Sequence, residues 1–141
     1  MVDSKRSDKT PSSQAKELLK AACEASVLDE ETLSVLRGLE RPGDSVSFLN
    51  DVIDTYVAEA PEILSSLLKA IRANKLSSVV HFSHQLKGQS GNIGVTKLSA
   101  ICDLLEEHAE STLALGPEMI ISLLNQAYDE AIRELQNDWK R

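Results

Sequence analysis

The chain has 141 residues, of which 42% are hydrophobic, 26% charged and only 4% aromatic, and its formal net charge is -7. That length supports one domain with a single core. The acidic balance argues against a general affinity for nucleic acid or anionic membrane, since both need clustered Lys and Arg. Cys23 and Cys102 are far apart and lack a CxxC spacing, so neither a disulfide framework nor a zinc site is suggested. No apolar run approaches the roughly 20 residues needed to span a bilayer, and Met1 to Gln14 carry no signal-like stretch, so a cytoplasmic protein is expected.

Residues 1–13 are polar and aperiodic, which predicts a disordered tail followed by a bundle over 14–141. From Ala15, the residues Leu18, Leu19, Ala22 and Cys23 recur at helical spacing. Leu28, Leu33, Leu36 and Leu39 form a second short stripe, with Asp29, Glu30 and Glu31 as its acidic start. The break Arg41-Pro42-Gly43-Asp44 follows, and Asp44 or Ser45 is expected to cap the next helix. That helix runs from Leu49 to Ile71, and Pro61 predicts a kink or local break near Ala60.

Ala73-Asn74-Lys75 reads as a turn, after which Leu76, Val79, Val80, Phe82 and Leu86 begin a helix that ends near Gly91 to Gly94. A further segment opens at Thr96, with Leu98, Ile101, Cys102, Leu105 and Ala109 on one face, and closes around Gly116-Pro117. The last stripe extends from Ile120 to Leu135. Nothing alternates like a strand. The economical architecture is therefore all-α: an antiparallel up-and-down four-helix bundle with one or two additional short N-terminal helices.

The segment His81 to Gly94 departs from an ordinary core helix. His84 lies roughly 130° from the mean direction of the apolar stripe and should face solvent. Lys87, Gly88 and Gly91 share its side of the helix. Glycine within a helix costs about 1 kcal/mol relative to alanine, and an offsetting gain at Gly88 would be a flat surface on which another protein can bring its backbone close. A neutral imidazole is a nucleophile able to take a phosphoryl group, and an ammonium one turn along can stabilise the transferred charge. No phosphate-cradling GxxxxGK[ST] loop is present, and no metal ligands accompany the histidine.

The run HQLKGQSGNIG resembles the motif of histidine-containing phosphotransfer (HPt) domains, in which a histidine is followed by x-Leu-Lys-Gly, small residues and a further glycine. LDEETLSVLRGL, YVAEAPEILSSLLKAI and LSAICDLLEEHAE also look like their counterparts, so the likeness covers about residues 27–137. It implies a bundle whose second long helix exposes His84 as phospho-acceptor. Lys87 would stabilise charge, and Gln85, Gly88 and Gly91 would form the face a partner approaches. It further implies a carrier without kinase activity, working between response-regulator receiver domains and a sensor or hybrid histidine kinase. The chain itself would bind no cofactor or metal, magnesium being held by the receiver, and it would be a monomer. Gln89 departs from the family's usual small residue.

Other residues read more plainly. His81 is expected to be solvated, since two histidines without a third ligand make a poor zinc site. His108 is expected to make a surface charge contact among Glu106, Glu107 and Glu110, which read as a solvated face. Cys102 is expected in the core, and Ser90 to help finish its helix. The competing functional class is a helical interaction module that binds a receiver or another regulatory protein without taking phosphoryl.

Overall fold

The computed structural model describes residues 10–44 and 47–140. Helix α1 spans Pro11–Cys23, so the boundary expected at residue 13 moves back into the polar segment. Thr10 explains the earlier start: its hydroxyl accepts from the Ser13 N–H at 3.1 Å, and Pro11 at the first position has no N–H to satisfy. Ala15, Leu19 and Ala22 are buried, while Leu18 is turned outward. Helix α2, Glu30–Gly38, has the expected acidic start, and Asp29 is its cap, with the carboxylate accepting from Glu31 N–H and from the Thr32 hydroxyl. Leu33 is its core residue, and Leu39 has passed beyond the helix into solvent.

Helix α3, Phe48–Arg72, is capped by Ser47, whose hydroxyl accepts from Asn50 N–H at 3.2 Å. Asp44, one expected cap, instead accepts from Arg41 N–H, and Ser45 lies outside the described residues. Glu40 reinforces the start of α3: its Oε1 accepts from Leu49 N–H and from the Ser47 hydroxyl, and Arg37 bridges both side chains. The helix continues through Pro61 and does not divide into halves. Pro61 is exposed, and buried Tyr56, Ala60, Leu64 and Leu67 hold both sides of it in the core.

The turn after α3 is a Schellman motif: Asn74 takes a positive φ of 53°, Asn74 N–H donates to Ile71 O, and Lys75 N–H donates to Ala70 O. Helix α4, Leu76–Asn92, ends the same way around Gly94, with Gly94 N–H donating to Gly91 O and Val95 N–H to Ser90 O. A side chain at Gly94 would be strained at its φ of 80° and would lie 3.1 Å from Asp29 O. That closeness joins the start of α2 to the turn after α4. Asp29 N–H donates to Gly94 O, Thr96 N–H donates to Val27 O, and Leu28 pairs with Val95 in one isolated antiparallel bridge.

Helix α5 spans Thr96–Glu107, and the helical segment expected to run on to Gly116 breaks at His108, whose φ of -140° is not helical. Short α6, Ala109–Leu113, follows, and α7 spans Pro117–Glu134 before a π-helical turn, Leu135–Trp139. Helices α3, α4, α5 and α7 form the antiparallel four-helix bundle around an aliphatic core, with α4 between α3 and α5. Helix α1 packs across α5 and α6, and α2 packs on α3. Among the described residues, no helix is long and apolar enough to cross a membrane.

Candidate functional site

The buried positions of α4 are Val79, Ser83, Leu86 and Ser90, so His84, Gln85, Gly88 and Gly91 fall on its open side. Val80 leaves the expected apolar stripe, and two serines take core places. Ser90 does more than end the helix: its hydroxyl is 2.7 Å from Tyr56 OH and ties α4 to α3 inside the core.

His84 is 69% exposed, and its Nδ1 lies 2.7 Å from Glu106 Oε2 on α5. The other oxygen of the same carboxylate, Oε1, is 2.5 Å from Lys87 Nζ, which is also 3.3 Å from Asp103 Oδ1. Glu106 is only 18% exposed. Lys87 first and His84 second hold its carboxyl below the usual carboxylate range, against the opposing effect of burial. Glu106 and Asp103 in turn raise the Lys87 ammonium above its ordinary value. An ionised carboxylate only accepts hydrogen bonds, so in the neutral ring the proton sits on Nδ1 and the lone pair on Nε2.

Ser99 completes the same face of α5, donating from its hydroxyl to Lys87 C=O at 3.3 Å. Ser99, Asp103 and Glu106 are spaced by four and three, so one helical stripe meets the His84 side of α4. Glu106 is therefore not part of a solvated face, and His108 is the joint between α5 and α6, with no ion pair among the described residues. The stripe spacing was available in the sequence, but its meaning depended on how α5 sits against α4.

At Gly88, a Cβ would meet no atom within 4 Å, so the chain's own packing does not demand glycine there. A Cβ on Gly91 would make an ordinary contact with Ser99 Oγ at 3.6 Å. Gln89 points to the other flank of α4, beside a groove of about 410 Å³ lined by Phe48, Val52, Tyr56 and Ile93, and its Oε1 is buried with no hydrogen-bond partner among the described residues. His81 is exposed, with its ring edge-on to Phe82 at 5.0 Å. Among the described residues it joins no metal-ligand cluster. Asp103, Glu106 and Glu107 approach one another within 4.8 Å, but the first two are already engaged with Lys87. Cys102 is fully buried in the core, and burial pushes its thiol pKa up.

A helical bundle that displays one oriented imidazole beside an ammonium and an open glycine has the form of a phosphotransfer module. The model of the Hpt domain matches residues 51–138, and the chain belongs to that family. Over 101 residues it is 28% identical to the multistep phosphorelay regulator 1 of Schizosaccharomyces pombe, a match that covers 62% of this chain and 34% of that protein. The chain thus spans about a third of the length of that relative. The crystal structure of histidine-containing phosphotransfer protein B from Pseudomonas aeruginosa superposes with a TM-score of 0.68 at 24% identity, covering 82% of this chain and 96% of the other. That likeness is one of fold.

Proposed function

We propose that this chain carries a phosphoryl group on His84 between the aspartates of receiver domains in a two-component phosphorelay. The observation that carries the reading is the bond between His84 Nδ1 and Glu106, which directs Nε2 outward from the bundle. In the forward step, Nε2 attacks the phosphorus of a receiver's aspartyl phosphate. The P–N bond forms as the P–O bond to the aspartate carboxylate breaks, and that carboxylate leaves with the electron pair. The ring becomes an imidazolium whose Nδ1–H remains on Glu106, and the Lys87 ammonium stands one turn away to meet the phosphoryl oxygens. The reverse step returns the group to another receiver.

The receiver supplies the magnesium and most of the catalysis, and this chain holds no metal and no kinase activity of its own. Partners are response-regulator receivers and a sensor or hybrid histidine kinase in the cytoplasm. Gln85, Gly88 and Gly91 form the approach surface, where the open ground at Gly88 admits a partner's backbone, and the carrier works as a monomer with this face free.

The test mixes the protein with labelled phospho-receivers and magnesium. The reading expects transfer to an acid-labile site that disappears in His84→Gln. If receivers bind but the wild type never takes label, the chain is an interaction module instead.

A further inference from the structure

The transfer assigned to His84, on which this inference rests, needs a cation for the incoming phosphoryl, yet the nearby cation is already occupied. Lys87 Nζ is shared between Glu106 and Asp103. The two carboxylates differ in what else they do. Glu106 is mostly buried and also orients His84, whereas Asp103 is 53% exposed and lies at the looser distance of 3.3 Å. Lys87 and Asp103 together line a shallow depression of about 390 Å³ on the α5 side of the site, with Gly91 and Ser99 between the helices.

A phosphoryl group brings close to two negative charges and three strong acceptors. Once on Nε2, it competes with both carboxylates for the one ammonium. The Glu106 contact is the shorter and the less exposed, 2.5 Å against 3.3 Å, so the partner that yields is Asp103. We propose that Asp103 is a positioning residue that draws Lys87 toward α5 while His84 is empty, and so sets how readily phosphorylated His84 gives its group back to a receiver. The step consumes nothing: Lys87 exchanges one anionic partner for another, and the bonds made and broken at phosphorus are those already described.

The experiment measures the equilibrium ratio of phospho-His84 to phospho-receiver, with one receiver and magnesium, for wild type, Asp103→Asn, Asp103→Glu, Lys87→Met and the Asp103→Asn/Lys87→Met double variant. Removing the Asp103 charge should shift the ratio toward phospho-His84 by about two- to fivefold, the range an exposed ion pair supplies. Asp103→Glu should restore it. A merely structural defect would slow both directions and leave the ratio unchanged, which overturns the inference. An equally large shift in the Lys87→Met background would show plain charge repulsion and overturn it too, because a residue acting through Lys87 loses its effect when Lys87 is gone. A wild type that takes no label overturns the His84 assignment and this inference together, whereas a labelled wild type with an unmoved ratio overturns this inference alone.

Discussion

Glu106 divides its carboxylate between two residues of the neighbouring helix, with Oε2 2.7 Å from His84 Nδ1 and Oε1 2.5 Å from Lys87 Nζ. One side chain on α5 thereby fixes the ring and the ammonium together. Glu106→Gln keeps an acceptor of the same shape but loses the charge that stabilises the imidazolium. A neutral hydrogen bond is weaker than a charged one by about 1 kcal/mol, so the rate of phosphoryl uptake should fall by about five- to tenfold with the fold intact. Rapid-quench transfer kinetics and circular dichroism on the same sample check both halves.

Gly88 separates stability from transfer. With no atom within 4 Å of an added Cβ, Gly88→Ala should stabilise α4 by up to about 1 kcal/mol through helix propensity. Gly88→Gln should fold equally well but lose transfer, because its side chain occupies the ground beside His84. Denaturant midpoints and transfer assays on the pair read the two effects separately.

Gly94 is required by the fold. Gly94→Ala places a non-glycine residue at a left-handed φ and presses a Cβ toward Asp29 O at 3.1 Å and Thr32 Cβ at 3.2 Å. The left-handed conformation alone costs about 1–2 kcal/mol, so urea unfolding should show a loss of at least about that size.

The carboxylate also gives a pH dependence. The Glu106 carboxyl is held below its ordinary value in the folded chain, so its contribution to stability is present above the usual glutamate pKa of about 4.3 and disappears as pH falls through the lower folded value. Lys87 is raised; its share is complete below about pH 10.4 and disappears as pH climbs through the folded value. The stability difference between wild type and Glu106→Gln should therefore shrink as the pH falls below about 4.3. Denaturation curves across that range measure it.

The outward direction of His84 and the helix end at Gly94 were legible because each depends on residues within one or two turns. So was the bundle, since each long helix carries one apolar stripe. Glu106 was not, because its partner His84 is 22 positions away and becomes a neighbour only when α4 and α5 pack in one register. Read locally, Glu106 belonged to an acidic run. Ser90 was misjudged for the same reason, as Tyr56 reaches it from α3. The cap at Thr10 was hidden by a polar setting that resembles a tail, although a hydroxyl before a proline is itself a helix-start signal.

The strap formed by Val27, Leu28 and Asp29 gives these residues a part in the region matched by the family model, which begins 22 residues after Asp29 at Asp51. A fragment cut at that boundary would leave Thr96 N–H without its partner, take the Asp29 N–H from Gly94 O, and remove Leu28 from its bridge to Val95 at the hinge between α4 and α5. That hinge joins α4, which carries His84, to α5, which carries Glu106. A graft that carries the chain from Val27 onward keeps the strap's backbone contacts with Gly94, Val95 and Thr96, which one cut at Asp51 gives up.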